Sequence, residues 1–255
     1  MTPQPVRFTL RAIDRVKDYA WFFGNTAKSL RWRSLVGPLA TPKATVVLLP
    51  GVFEDAGYFW TIRAALGEAG YEVRVNKAIK RSTKRVTALA DIVADDVSKI
   101  SGPVILLSHS KGSLIGRSVL CRTPENVLGL IALAGPWHGS TMARMFPSWS
   151  IVGRLRPGGV DVTGTWTPEA NEAACKRIVS ISPSWDPHIP EGSVLAGAIN
   201  ETVPTTGHFR LLSDPLTIEL ILKHAERMTA EAEAEGIADA EGQAGAGAEG
   251  DTAAK

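Results

Sequence analysis

Leu106-Leu107-Ser108-His109-Ser110-Lys111-Gly112-Ser113 is the stretch whose reading decides the fold. An apolar run, Pro103 to Leu107, leads into it. Leu114-Ile115-Gly116-Arg117-Ser118-Val119-Leu120 leads out with helical character. Strand, sharp turn and helix, with a serine at the apex, is the setting in which a G-x-S-x-G turn presents a nucleophile. Here the motif reads S-x-S-x-G, with Ser108 in place of the first glycine and Gly112 as the second. Small residues at those positions let strand and helix approach closely. A strained apex would lift the Ser110 hydroxyl clear of both.

Outward from this turn, apolar runs alternate with helical periods. Thr45 to Pro50 and Val127 to Ala134 read as strands buried on both faces. Tyr71 to Val75 is a shorter one. Tyr58 to Ala69, Arg85 to Ile100 and Ser110 to Cys121 read as helices. This alternation predicts an α/β fold: a mostly parallel central sheet with helices on both faces. The pattern breaks from Trp137 to Cys175, a stretch rich in Gly, Pro, Trp and Met. It resumes at Arg177 to Ser182 and at Ser193 to Ala198, and a last helix is expected from Pro215 to about Met228.

Length and charge bound the rest. A chain of 255 residues, 44% apolar, can bury a large core. Formal net charge is +2, so bulk charge names no partner, and no nucleic acid is expected. The charge is unevenly placed. Residues 1–43 carry eight basic residues against Asp14 and Asp18, whereas residues 229–255 carry seven acidic residues and one lysine. Three segments follow: a basic helical segment at 1–43, a catalytic-sized domain at 44–228, and an acidic Ala/Glu/Gly tail at 229–255 expected to be disordered. Val6, Leu10, Ile13, Val16, Ala20, Phe23, Ala27 and Leu30 recur at helical spacing. The favoured expectation is that this stripe packs on the domain. Peripheral membrane contact through residues 5–36 is the second. Cys121 and Cys175 have no metal-ligand spacing and read as two buried thiols. No secretory signal or membrane span is legible, which suggests a cytoplasmic protein, with membrane association as the variant.

Five stretches stand in a telling order: Leu48-Leu49-Pro50-Gly51, Ser108 to Gly112, Ala134-Gly135-Pro136-Trp137-His138-Gly139-Ser140, Ser184-Trp185-Asp186 and Gly207-His208-Phe209-Arg210-Leu211-Leu212. With these the chain resembles the α/β-hydrolase superfamily, and within it the small lipase and esterase group, over about residues 45–228. The order Ser, Asp, His is that of the superfamily. The resemblance implies Ser110 as nucleophile, His208 as its base and Asp186 as the acid that orients the base. It implies backbone N–H donors to the oxyanion at Lys111 and at Val52 or Phe53, with Phe53 favoured. It places a cap at about 137–175.

The chemistry needs each group. A serine hydroxyl requires a base to take its proton, and imidazole titrates near the working pH. A carboxylate must hold the tautomer of that base. Glu201 and Asp161 are the rivals of Asp186. Of the other histidines, His109 is expected to point away from the serine, His138 to be structural and His224 to face solvent. The Lys111 side chain is expected to be solvated. Trp137, Met142, Met145, Phe146 and Trp149 are expected to line an apolar pocket. These readings imply hydrolysis of a small-molecule or lipid ester with no cofactor and no metal. An acyltransferase on the same residues, or a non-catalytic binding protein, are the alternatives.

Overall fold

Thr45–Leu49 (β1) and Val104–His109 (β3) bury every side chain, because the sheet they form is covered on both faces. The computed structural model describes residues 4–31, 41–75, 77–122, 125–164 and 167–249, with side chains at 11–26, 41–75, 79, 81–122, 125–164 and 167–236. Its elements run α1 (Gln4–Arg31), β1, α2 (Trp60–Glu68), β2 (Glu72–Val75), α3 (Val86–Val97), β3, α4 (Lys111–Leu120), β4 (Val127–Leu133), α5 (Val160–Thr163), α6 (Pro168–Lys176), β5 (Ile178–Trp185), β6 (Ile199–Thr206) and α7 (Pro215–Glu249). The strands form one six-stranded sheet in the order β2-β1-β3-β4-β5-β6. Every pairing is parallel.

Strand alternation sorts the core into two layers. Val47, Leu49, Leu106, Leu130 and Ala132 point to the face covered by α3 and α4. Val46, Leu48, Ile105, Leu107, Ile131 and Leu133 point to the face covered by α2 and α7. The order reverses at β1, with β2 on one side and β3 on the other. A crevice opens at such a switch point, beyond the carboxyl ends of the strands.

Several expectations are corrected. Ser193 to Ala198 is not a strand; the edge strand is Ile199–Thr206. Asn200 explains the shift, since its side chain bonds the backbone of Leu195 and Ala198 and closes the preceding residues into a turn. The irregular stretch after β4 is shorter than the predicted cap, because Pro168–Lys176 is a regular helix with Thr167 as its N-cap. The last helix does not stop at Met228 but continues to Glu249, where a disordered tail was expected. Alanine is the best helix former, and the alternation of Ala and Glu over 230–235 carries the helix past Met228. Residues 250–255 lie outside the described residues, as do 1–3 and 32–40 of the basic segment.

The first helix is as predicted in place and opposite in facing. Ile13, Val16, Ala20 and Phe23 turn outward, and Asp18, Asn25, Trp21 and Phe22 turn to the domain. Specific bonds decide this orientation. Trp21 Nε1 donates to Ser213 Oγ at 2.7 Å, and Trp60 Nε1 donates to Asn25 Oδ1 at 3.1 Å. Asp18 is wholly buried against the loop after β6. Cys121 and Cys175 are free thiols, and burial raises the pKa of both. Among the described residues no helix is long and apolar enough to cross a membrane.

Candidate active site

Four loops meet above the carboxyl ends of β1, β3, β5 and β6. Ser110 sits between β3 and α4 at φ 51° and ψ −124°, a region that L-residues rarely adopt. The turn is held by Ser110 N–H donating to Leu133 O at 2.9 Å. Gly112 is required there, since a Cβ on it would stand 1.9 Å from the Leu49 carbonyl oxygen. Ser108, in the other small position, is buried and donates to Ser113 Oγ at 3.0 Å. Phe53 and Ala134, on the neighbouring loops, also have positive φ, so the strained residues cluster at this end of the sheet.

Asp186 directly follows β5 and is buried. Its Oδ1 accepts from the backbone N–H of His188 at 2.7 Å and of Ile189 at 3.1 Å. His208 Nδ1 donates to its Oδ2 at 2.7 Å. The carboxylate can only accept, so the proton lies on Nδ1 and the Nε2 lone pair is left for other work. Burial pushes the Asp186 pKa up, but the charge and hydrogen bond of His208 and the His188 N–H outweigh it and hold the carboxyl below its ordinary range. Burial pulls His208 down, and Asp186, Glu54 and Asp18 outweigh that in turn, so its pKa is raised.

The His208 backbone is held as firmly as its ring. Its N–H donates to Asp18 Oδ2 at 2.9 Å, and the next two amides, Phe209 and Arg210, donate to Asp18 Oδ1 at 2.8 and 3.0 Å. Its carbonyl accepts from His109 Nε2 at 3.0 Å. His109 Nδ1 donates to Glu54 Oε1 at 2.7 Å, and Glu54 Oε2 accepts from Gly51 N–H at 2.8 Å. Both His109 partners are oxygen atoms, so each ring nitrogen has one acceptor facing it. Burial raises the Glu54 pKa, and the interaction with His109 more than reverses this. Glu54 and His109 thus tie the loop after β1 to the loop after β6 through the middle of the Ser110 turn.

Lys111 is the clearest departure from expectation. Its side chain is fully buried, not solvated. Nζ donates to Ser82 O at 3.0 Å and Lys84 O at 2.5 Å and lies 3.2 Å from Asp161 Oδ2. Burial lowers its pKa, and Asp161 partly restores it. Asp161 also pairs with Arg154 at 3.2 Å and accepts from Val86 N–H at 3.1 Å. This rival of Asp186 is therefore a structural anchor that binds the irregular stretch to α3 and to the turn. The other rival, Glu201, pairs with His224 at 3.2 Å. His224 is buried rather than solvent-facing.

Ser110 and His208 share one cavity of about 460 Å³. Val52, Met142, Met145, Phe146, Val152, Leu155 and Tyr19 give it largely apolar walls. Two of the expected lining residues are elsewhere. Trp137 is in the core, donating from Nε1 to Ser180 Oγ at 2.9 Å. Trp149 is 79% exposed and is not among the cavity's lining residues. His138 is exposed and contacts the Val194 carbonyl. His188 lies in the cavity wall, with Nε2 2.9 Å from the Tyr19 hydroxyl. Burial, then the neighbouring His208, pushes its pKa down to about 3, so it is neutral at working pH.

The amide of Phe53 donates to the Arg81 carbonyl at 2.9 Å. That contact already engages the Phe53 N–H, and Val52 beside it lines the cavity. Lys111 begins α4, so its N–H belongs to a first turn that has no partner inside the helix. Asp186, His188 and His208 each offer one atom within 4.8 Å of the others. The 2.7 Å bond between Asp186 and His208 already engages two of the three with each other.

Asp18 and Glu54 were not read from the sequence as site residues. No spacing pointed to Asp18, 190 residues from His208. The one signal for it was that it is one of only two acids, with Asp14, on a basic helix.

The sequence matches no protein-family model and none of the curated protein sequences. Solved structures do match. The mature form of lipase BlEst2 from Bacillus licheniformis has a TM-score of 0.60 at 17% identity, over 73% of this chain and 95% of that one. The ydeN gene product of B. subtilis has a TM-score of 0.57 at 16% identity, over 72% and 99%. The pyrethroid hydrolase PytH has 0.55 at 15%, over 73% and 98%. The chain has the α/β-hydrolase fold.

Proposed function

We propose that the protein is a serine hydrolase of carboxylic esters. Ser110 Oγ attacks the ester carbonyl while His208 Nε2 takes its proton. The N–H groups of Val52 and Lys111 bind the oxygen that gains charge, a contribution of about 10²–10³ in rate per donor. The tetrahedral intermediate collapses, the alcohol leaves with the proton from His208, and an acyl-enzyme on Ser110 remains. Water, deprotonated by the same histidine, releases the acid. Asp186 holds the Nδ1 tautomer throughout. One observation carries this reading: a serine in a strained strand-to-helix turn shares an apolar cavity with a histidine whose far nitrogen is held by a buried carboxylate. That the fold's solved examples include a lipase and a pyrethroid hydrolase supports it. The walls favour an apolar acyl group, and no cofactor enters the scheme.

A p-nitrophenyl ester series from acetate to palmitate tests the reading, together with labelling by a fluorophosphonate. Turnover with an optimum at one chain length, and a label on Ser110, are expected. Failure of both across the whole series would remove the proposal.

The pH dependence has a definite sign. The base works only when neutral, and Asp186 raises the pKa of His208 above the ordinary 6.5. The acid limb of kcat/KM is therefore expected above pH 6.5, with rate lost as pH falls through it. Asp186→Asn should move that limb to lower pH and cut kcat by about 10⁴-fold. A wild-type limb at or below 6.5 contradicts the assignment.

A further inference from the structure

We infer that the outer face of α1 and the rim of the cavity form one docking face for an anionic lipid bilayer. Ile13, Val16, Ala20 and Phe23 fall within an arc of about 80° on the helix. All four are exposed, Val16 by 69% and Phe23 by 67%. Large apolar side chains gathered on one exposed face, rather than scattered singly, mark an interaction surface.

This stripe is continuous with the mouth of the cavity. The Phe23 and Tyr19 rings stack with centroids 6.4 Å apart, and Tyr19 is itself a wall of the cavity. Phe53, Met145 and Phe146 line the same cavity and are exposed, and Trp149 stands out beyond them. The mouth thus opens among the side chains that an apolar phase would take up.

Charge selects the occupant. Arg15 and Lys17 are exposed on either side of the stripe, and Arg81 and Arg144 are exposed beside Phe53 and Met145. Among the described residues of α1 the acids are Asp14 and Asp18, and both turn to the domain: Asp14 toward Arg210, Asp18 into the His208 loop. Of the nearby acids, Glu54 is buried against His109, and Asp55 and Glu191 accept from the amides of Gly57 and Thr141. An apolar stripe edged by cations suits the headgroup boundary of an anionic membrane. A two-fold pairing of this face with a second copy would set Arg15 and Lys17 against their own kind. Docked in this way, the cavity would draw its ester from the bilayer, a role that rests on the hydrolase reading; the docking itself does not.

Flotation of the full chain as Ser110→Ala, with vesicles of phosphatidylcholine alone or containing about 30 mol% phosphatidylglycerol, separates the two. At least roughly tenfold more protein is expected on the anionic vesicles, with the excess reduced at high salt. Val16→Glu/Phe23→Glu should lower binding by about tenfold or more, and Trp149→Glu should lower it independently. Both sites are exposed, and circular dichroism checks the fold. In the Ser110 background the double variant should hydrolyse a soluble short-chain ester like wild type. Absent or salt-insensitive binding, undiminished binding by the variants, or a dimer that the double variant disperses in sedimentation equilibrium overturns the docking face. Binding by Ser110→Ala alongside a wild type that cleaves no ester would leave the docking face standing and remove the hydrolase.

Discussion

On the proposed mechanism, Ser110→Ala is expected to lower kcat/KM for p-nitrophenyl butyrate by about 10⁴-fold or more, because it removes the oxygen that would carry the acyl group. The loss should fall on kcat, since one missing oxygen leaves the apolar walls unchanged. Folding should be nearly unaffected. Alanine keeps a Cβ in the same strained backbone region, so the midpoint of thermal unfolding should stay within about 2–4 °C. Ser110→Gly makes a sharper comparison. Glycine adopts a positive φ without strain, so this variant should be equally inactive yet more stable by about 1 kcal/mol. Residual turnover above about 1% in either variant would mean that Ser110 is not the nucleophile.

Asp18→Ala is expected to reduce kcat by roughly 10–100-fold, although Asp18 touches neither Ser110 nor any substrate. Its carboxylate receives three successive amides, those of His208, Phe209 and Arg210. Without it these donors lose charge-assisted bonds, at a cost of about 3 kcal/mol in stability. Gly207 adds to the constraint. It stands at φ +104°, and a Cβ on it would lie 2.5 Å from Asp18 Oδ1, so loop and acid are fitted closely. Two readings separate positioning from bulk destabilisation at a temperature where the variant is folded. KM should change little. The acid limb of the pH profile should move to lower pH, because the negative charge of Asp18 helps hold the His208 pKa up. Asp18→Asn keeps one acceptor oxygen and should recover part of kcat while showing the same pH shift. An unmoved limb would reduce Asp18 to a structural cap.

The sheet was legible because a strand buried on both faces must be apolar throughout, and Thr45–Leu49, Val104 to Leu107 and Val127–Leu133 say so residue by residue. Ser110 was legible from the small residues around it, and Asp186 and His208 from a resemblance of chain order and loops. What could not be read were the contacts that reach across the chain. The periodicity of α1 shows one apolar stripe, yet the domain takes the opposite side, because Asp18, Trp21 and Asn25 find specific partners and the stripe does not. A lysine next to the Ser110 turn reads as solvated until Asp161, fifty residues on, is placed 3.2 Å from its amine. The edge strand was missed by one turn because Asn200 acts on the backbone before it, a local bond with no periodic signature. Trp137 and Trp149 look alike in a tryptophan-rich stretch. Only the third dimension sends one to the core and the other to solvent.

The bond between Asp18 and the His208 loop also orders events in time. Its two ends are separated by 190 residues, nearly the whole of the ordered sheet. A contact of that span has a large closure entropy, and it cannot form until β6 has been laid against β5. Helix α1 is therefore among the last elements to find its seat. Until it does, the sheet can be complete and the base still unplaced. On the proposed hydrolase reading, a chain with a finished core stays inactive until α1 arrives, and the onset of activity on refolding reports that arrival.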